Sequence, residues 1–336
     1  MEKVNSKNDR WKLMAIKGGI DENTTDDVFD DNYYKLLPAD KPYKKNSLLL
    51  EIGTRTGEWL IAAAKKKYIS VGASTNLENA RRALNQLRKQ KVNGYVVVSD
   101  VTNLPFQDNL FDLMWSANIF RPANLKELEL FSGQLHRILA KSGKIKLPFL
   151  VKKPINNDQA ASIDFLHVSN GKNYLDDFTL EEFENVFKKY FPNASSRVHS
   201  CFGVTAYKEN FKRVSAARKP LVGSVLLIEF LSRFAPAVKS ISDSLFITAQ
   251  KIAGPQNIRI AHFLRHHWLK QNLNVVYLLQ CPISGGPVYL SKDAHFVISD
   301  KANVKYPVIN EIPIMLEKAA IPIEQKIERE TEIKEI

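Results

Sequence analysis

The stretch Ser47-Leu-Leu-Leu-Glu-Ile-Gly-Thr-Arg-Thr-Gly57 decides the fold of this 336-residue chain. Its first six residues form a short, mostly apolar run, which predicts a buried β-strand, and its last five residues begin and end with glycine. A helix-like segment, residues 59–67, follows at once. A strand, a glycine turn and a helix in this order are typical of the first unit of a parallel sheet that binds a ligand.

The same alternation continues along the chain. Further strands are predicted at 68–72, 94–100, 110–115, 144–151 and 244–251, and further helices at 76–91, 125–139, 180–190 and 258–270. Short strands and turns are expected over 277–316. Strand–helix alternation at this spacing predicts a parallel α/β sheet wound by right-handed crossovers. Because ligands of such sheets bind at the carboxyl ends of the strands, the turns after the strands are the predicted site.

The composition is that of a folded soluble protein, with 44% hydrophobic and 25% charged residues, which excludes disorder and collagen as overall classes. The net charge of +12 is uneven. Residues 1–40 carry −3 and residues 317–336 carry −2, so residues 41–316 carry +17. A basic middle favours an anionic partner such as RNA or a phosphate-bearing substrate.

The cysteine content and the apolar runs exclude further classes of protein. Cys201 and Cys281 are the two cysteines, too few for a disulfide framework or a four-cysteine zinc site. The N-terminus lacks the apolar core of a signal peptide. The most apolar run, residues 221–231, is too short to span a bilayer. We therefore expect a cytoplasmic or organelle-matrix protein that is not secreted and has no transmembrane segment.

Residues 51–57, an acid followed by a glycine-containing turn, resemble the first motif of class I S-adenosylmethionine (SAM) methyltransferases. Residues 100–112 are similar to the D-x-x-x-L-P-F-x-D-x-x-F-D stretch of that family, and residues 135–143 to its helix and turn before the fifth strand. The resemblance is to the broad, type-11-like subfamily and implies a Rossmann-like class I methyltransferase sheet over residues 47–253, with an insertion at 208–240. It implies SAM as cofactor, lined by Glu51, Gly53, Arg55, Gly57, Ser74 and Asp100.

Two positions depart from the family pattern. Arg55 replaces the central glycine of the first motif, where it could point outward, pair with the methionine carboxylate as a bidentate cation, or fill the pocket. Ser74 stands where an acid usually chelates the ribose diol, and a hydroxyl makes a weaker hydrogen bond than a carboxylate. Glu78 is a candidate substitute for that acid. Both departures bear on whether SAM binds.

A catalytic residue is harder to assign. Methyl transfer from a sulfonium needs in-line positioning and, for some substrates, a base. Residues 116–121, after the fourth strand, lack the Asn/Asp-Pro-Pro-aromatic signature of many amino-group methyltransferases. His167, beyond the fifth strand, is the candidate that could lie over the methyl group, and a surface or packing histidine is the alternative interpretation.

The C-terminal part carries a second resemblance. Residues 280–289 and 306–316 are similar to the C-P-x-C-x-G-P-L and Y-P-I-x-x-G-I-P-x-x-L patterns of a small zinc-ribbon-like family, which includes an activator subunit of tRNA, rRNA and release-factor methyltransferases. Ser284 replaces the second cysteine of the knuckle, and zinc needs four ligands, so we expect no zinc and no metal site. The resemblance implies a zinc-less, ribbon-like α+β module at 275–320 that covers apolar surface of the methyltransferase domain in cis. A merely stabilising appendage is the alternative.

The remaining segments are an N-terminal extension at 1–46, a basic linker helix at 254–274 and a charged tail at 321–336. Residues 208–219 and 258–270 are predicted contacts for RNA or phosphate, and residues 221–231 for a protein partner or a membrane surface. The leading hypothesis is a SAM-dependent methyltransferase acting on RNA, an RNA-associated protein or a lipophilic small molecule. The alternative is a catalytically inactive methyltransferase fold that serves as a scaffold subunit of a larger complex, for example a ribonucleoprotein.

Overall fold

The computed structural model describes residues 47–116, 124–150, 180–201, 204–205, 216–242, 244–252 and 274–323. The first strands are β1 (Leu48–Ile52), β2 (Ile69–Ser74), β3 (Gly94–Ser99), β4 (Phe111–Trp115) and β5 (Leu139–Leu150). Three helices alternate with them: α1 (Glu58–Lys65), α2 (Leu77–Lys89) and α3 (Leu125–Ile138). There follow α4 (Leu180–Tyr190), β6 (Ser195–Cys201), β7 (Val204–Thr205), α5 (Lys219–Leu231) and β8 (Ser244–Gln250).

These strands form one mixed sheet in the order β7-β6-β8-β5-β4-β1-β2-β3. Strands β1 to β5 run parallel, whereas β8 lies antiparallel to both β5 and β6. The predicted α/β class and a Rossmann-like sheet are therefore confirmed, although the sheet is mixed rather than wholly parallel. The strands β6 and β7 were not predicted from the sequence, because their alternation of polar and apolar residues is short and irregular.

Both faces of the sheet are covered, which explains the continuous apolar runs of its strands. On one face, Leu48 and Leu50 share a core cluster with Phe131 of α3 and Phe187 of α4. On the other face, Val96 and Val98 cluster with residues of α1 and α2. All five residues of β1 are buried. The turn after this strand is therefore anchored at its first residue by the packed core.

The junction between α3 and β5 differs from the prediction. The sequence predicted a turn at Ser142–Gly143 before the fifth strand, but α3 ends at Ile138 and β5 begins at once, with a bulge that shifts the pairing with β4 between Phe111 and Leu113. Ser142 has a positive φ of 64° inside this bulge. The pair Ser142–Gly143 therefore marks an irregularity within β5 rather than the start of that strand.

The C-terminal residues add five strands to the same sheet. These are β9 (Tyr289–Leu290), β10 (Phe296–Ser299), β11 (Val304–Ile309) and β12 (Ile312–Met315), with β13 (Ile321–Pro322) paired to β11. Strand β12 runs parallel to β3, with Ile314 opposite Val98 and Met315 opposite Ser99. We call residues 274–323 the C-terminal module. Its strand covers what would otherwise be the open edge of β3.

The core of the C-terminal module is continuous with that of the sheet. The side chains of Val276, Leu278, Tyr306 and Met315 belong to the same cluster of buried side chains as Leu48 of β1.

Within the described ranges, no helix has the length and apolarity that a membrane crossing requires.

Candidate cofactor site

The candidate site begins at the carboxyl end of β1 with Glu51, whose side chain is buried. The hydroxyl of Thr54 donates a hydrogen bond of 2.7 Å to Glu51 Oε2. Burial raises the pKa of Glu51 from 4.5 to about 8, the hydrogen bond from Thr54 opposes this rise, and the nearby charge of Glu58 adds to it. The free protein therefore holds this carboxyl group largely protonated near neutral pH, and a cation bound beside it would favour the ionised form.

The turn itself is fixed by its backbone. The amides of Gly53 and Thr54 both donate to the carbonyl of Ala73, at 2.8 and 3.0 Å, which ties the ends of β1 and β2 together. Gly53 and Gly57 have φ values of 76° and 83°, in the left-handed region where glycine is favoured. A Cβ on Gly57 would lie 2.9 Å from the Cα of Ala83. Gly57 is thus required for the close approach of α1 to α2.

Arg55 is half-buried and lies near Glu58, at the start of α1. Burial raises the pKa of Glu58, while hydrogen bonds from the Thr56 hydroxyl and from its own backbone amide, together with the charge of Arg55, lower it. Gly57 is the N-cap residue of α1 and has no side chain to cap the helix. The carboxylate that occupies this helix start is therefore Glu58, and Arg55 is the nearby cation that a bound carboxylate could use.

Ser74 and Asp100 follow the neighbouring strands. Ser74 is the last residue of β2, lies opposite Val98 of β3, and donates its hydroxyl to the carbonyl of Asn76 at 3.1 Å. Asp100 comes directly after β3, where its Oδ1 accepts hydrogen bonds from the amide and hydroxyl of Thr102, at 2.8 and 2.7 Å. Because β1, β2 and β3 are adjacent and parallel, Glu51, Ser74 and Asp100 share one edge of the sheet.

Glu78 does not join this group. Its side chain is exposed on α2 and forms an ion pair with Arg82, one helical turn later. A carboxylate that substitutes for the missing acid of β2 is therefore not supplied by Glu78 in this arrangement, and Ser74 alone stands at the end of that strand.

The loop that carries Asp100 is held from both sides, which the sequence did not predict. Arg137 of α3 donates to the carbonyls of Leu104 and Phe106, each at 2.6 Å, and forms an ion pair with Asp108 at 2.8 Å. A single arginine thus fixes three points of the loop. The stretch 135–143 was recognised as a family-like segment, but nothing in its pattern indicated this clamp.

The C-terminal module binds the same loop. Asn103 Nδ2 donates to the carbonyl of Pro282 at 2.9 Å and to Glu317 Oε1 at 2.5 Å. The backbone amide of Gln107 donates to Leu278 O at 3.0 Å, and its side chain donates to Tyr277 O at 2.9 Å. The loop that carries Asp100 is therefore part of the contact between the sheet and the C-terminal module.

The turn around Cys281 and Ser284, predicted to be a knuckle without zinc, is stabilised by hydrogen bonds. Burial alone would raise the pKa of the Cys281 thiol, but hydrogen bonds from three hydroxyl groups and one backbone amide outweigh it and lower the pKa from 9.0 to about 7. The hydroxyls belong to Ser284, Ser299 and Tyr306, and Tyr306 Oη lies 3.4 Å from the sulfur. Among the described residues no group of three or more His, Cys, Asp or Glu is placed to hold a metal ion.

Several predicted positions fall in parts of the chain that the structure does not describe. His167, the basic residues 208–215 and the predicted helix 258–270 lie outside the described residues, as does the predicted domain boundary at 253–256. Of the insertion predicted at 208–240, residues 216–240 are described, and they contain α5.

Comparison with known proteins identifies two parts of the chain. Residues 50–147 match the family model described as Methyltransferase domain, which agrees with the class I sheet and covers every strand end discussed above. A UPF0434 protein from Ectopseudomonas mendocina is 45% identical over 49 residues, which are 15% of this chain and 80% of that protein. The chain belongs to the UPF0434 family. A UPF0434 protein from Bartonella quintana is 40% identical over 52 residues, covering 16% of this chain and 80% of its own length.

The UPF0434 match is about as long as the C-terminal module and covers a small share of the chain. The zinc-ribbon origin and the activator role of that module stay predictions. Among solved structures, a phosphoethanolamine N-methyltransferase 2 from Haemonchus contortus in complex with SAM is 18% identical, with a TM-score of 0.41, and covers 62% of this chain and 50% of that one. A TM-score this low supports no conclusion about function.

Proposed function

We propose that this protein is a SAM-dependent methyltransferase of class I. The observation that carries the proposal is the placement of Glu51, Ser74 and Asp100 at one edge of the sheet, beside the glycine turn of β1. The whole of this edge lies within the stretch that matches the methyltransferase domain. Ligand binding at the carboxyl ends of parallel strands is the general behaviour of such sheets.

The chemistry of these side chains fits SAM. Glu51 supplies a carboxyl group that ionises when the cationic ammonium of the methionine part binds beside it. Asp100 supplies a carboxylate for the adenine, and Ser74 a hydroxyl for the ribose. Arg55 is the cation available to the methionine carboxylate. SAM, when bound, supplies an electrophilic methyl group. The residues of this chain bind and orient the cofactor, and a substrate placed in line with the methyl needs little further help.

Titration calorimetry with SAM and the purified protein tests the proposal. We expect binding at micromolar concentrations, abolished by Asp100→Ala. The matched control is Glu78→Ala, an exposed acid on α2 whose removal leaves Ser74 and Asp100 in place. Lack of binding at millimolar SAM would contradict the proposed activity, as would equal affinity of the Asp100→Ala variant.

The alternative, a catalytically inactive scaffold, rests on Arg55. Its side chain is half-buried near Glu58 within the glycine turn, where the family pattern has glycine. If this side chain fills the pocket, Arg55→Gly will create SAM binding that the parent protein lacks. If it pairs with the cofactor carboxylate, the same substitution will weaken binding. The sign of the change in affinity separates an inactive scaffold from an enzyme.

The substrate classes that we propose are RNA, an RNA-associated protein and a lipophilic small molecule. The basic middle of the chain favours the first two, and the subfamily resemblance favours the third. Transfer of a labelled methyl group from SAM to separated RNA, protein and lipid extracts distinguishes them. A label confined to one fraction, and lost with Asp100→Ala, identifies the class.

A further inference from the structure

Helix α5 has two apolar sides. On one side, Val222 and Val225 pack into a cluster with Val198 of β6 and Leu245 of β8. This contact fixes the helix against the end of the sheet that lies farthest from the C-terminal module. Its orientation is therefore set by the core, and the opposite side must face away from the sheet.

That opposite side exposes large apolar side chains. Leu227, Phe230 and Phe234 are 58%, 51% and 73% exposed, and residues three and four positions apart lie on one face of a helix. The amide of Phe234 donates to Leu231 O at 3.0 Å, so the backbone keeps turning beyond the end of α5. The rings of Phe230 and Phe234 contact each other, with centroids 5.3 Å apart. The exposed residues thus form one continuous stripe.

The described residues around this stripe carry more cations than acids, although one cation, Lys239, is paired with Glu184 of α4 at 2.9 Å. Residues 216–242 contain four Lys or Arg and a single acid, Glu229. Glu229 is buried, and its Oε1 pairs with Arg233 at 2.6 Å and with Arg197 at 3.1 Å. Lys219 is exposed at the first position of the helix. The described surface beside the apolar stripe therefore has a net positive charge, and Glu229 is buried next to Arg197 and Arg233.

We propose that α5 is an interfacial helix that docks the protein on an anionic membrane surface. The aromatic and leucine side chains would enter the headgroup region, and Lys219 and Arg233 would lie at the level of the lipid phosphates. A helix of 13 residues is about 20 Å long, too short to cross a hydrocarbon layer of about 30 Å. The helix therefore lies in the plane of the surface.

Other occupants fit the stripe less well. A second copy of the chain would bring two basic surfaces of the same sign together, which is unfavourable. RNA would engage the basic residues but would leave the leucine and phenylalanine side chains in water, because nucleic-acid sites combine charge with stacking on flat rings rather than with leucines. An anionic lipid surface satisfies both the apolar and the basic component.

Co-sedimentation of the full chain with vesicles tests this. We expect binding to vesicles that contain phosphatidylserine, weakening with added salt, and little binding to pure phosphatidylcholine. The variant carrying Leu227→Ser, Phe230→Ser and Phe234→Ser should bind at least about tenfold more weakly, because each exposed side chain contributes apolar area on insertion. The control is Leu130→Ser, a leucine of α3 that is 50% exposed and far from α5 in the sequence.

Absence of binding to phosphatidylserine vesicles at low salt would overturn the proposal, and so would an equal loss with Leu130→Ser. Concentration-dependent self-association that the triple variant abolishes, without vesicle binding, would assign the stripe to a protein contact and likewise overturn it. Circular dichroism and thermal unfolding of the triple variant show whether the helix is intact. The test needs no cofactor, so its outcome is independent of SAM binding.

Discussion

At the scale of single residues, the carboxyl group of Glu51 is buried and therefore costly to ionise. Burial raises its pKa to about 8, so near neutral pH the free protein holds this group largely protonated. An unfolded chain loses that proton at about pH 4.5, the ordinary value. Between these two values the native state binds more protons than the unfolded state, so its stability falls as the pH rises.

The substitution Glu51→Gln should remove this dependence. The parent protein will lose stability from about pH 4.5 to pH 8, with a slope of at most about 1.4 kcal/mol per pH unit from this group. The variant will show a flatter profile, a higher melting temperature at pH 8 and weaker SAM binding, since it lacks the carboxylate that meets the ammonium. Thermal unfolding between pH 4.5 and 9, with Glu78→Gln as the exposed control, measures the first effect. Profiles of identical slope would contradict the assignment of the raised pKa.

At the scale of secondary-structure elements, the contact between α1 and α2 depends on Gly57. Alanine at this position would meet two costs: a φ of 83° and a Cβ only 2.9 Å from the Cα of Ala83. Gly285 is a matched control, because its φ is also positive, at 62°, but no heavy atom lies within 4 Å of its ideal Cβ.

We expect Gly285→Ala to cost about 1–2 kcal/mol of unfolding free energy, the cost of the left-handed conformation alone. Gly57→Ala will cost more, because backbone atoms of α2 must also move. Urea unfolding of the two variants compares them. Equal losses of unfolding free energy would mean that α1 and α2 move apart at little cost, and that their close approach does not restrict the residue at position 57.

The end of α3 is held by a buried lysine. Lys251, just after β8, donates to His136 O at 2.7 Å, to Leu139 O at 3.1 Å and to Asn109 Oδ1 at 2.6 Å. Lys251→Met leaves these acceptors without a donor and should destabilise the protein by about 1–3 kcal/mol per unsatisfied group. Lys141→Met, an exposed lysine in the bulge of β5, is the control. Equal stability of the two variants in urea unfolding would show that water replaces the lysine.

Much at this scale could be predicted from the sequence. The apolar runs of β1 to β4 and β8, and the helical spacing of α2, α3 and α4, are strong local patterns, and the structure confirms these elements with shifts of a few residues at their ends. The strand ends that carry Glu51, Ser74 and Asp100 followed from that alternation. The bulge in β5, the clamp by Arg137 and the pairing of β12 with β3 depend on contacts between distant residues, which no local pattern records.

At the scale of the whole molecule, the methyltransferase-like sheet and the C-terminal module meet at the loop after β3. Asn103 and Gln107 lie in this loop, and both donate hydrogen bonds to backbone carbonyls of the C-terminal module. The same loop carries Asp100, the proposed adenine contact. The module is therefore placed to hold one wall of the candidate cofactor site in its conformation.

The double variant Asn103→Ala and Gln107→Ala should weaken SAM binding several-fold, because its loop must be ordered by the cofactor itself. The contact residues lie outside the proposed cofactor set, so a change in affinity reports on the position of Asp100. Calorimetry measures the affinity, and Asn85→Ala, an exposed residue of α2, is the control. An unchanged dissociation constant would show that the module stabilises the fold without acting on the site.

The pairing of β12 with β3 also has a consequence for how the protein is made. Val98 leaves the ribosome more than two hundred residues before Ile314, its neighbour across the sheet. Throughout that interval β3 is a newly made edge strand without its cover, and such edges pair readily with other chains. A nascent polypeptide that stalls before the C-terminal module is finished would therefore be an aggregation hazard. Synthesis of β12, rather than pairing of the central strands, is therefore the step that protects the edge of β3 from pairing with other chains.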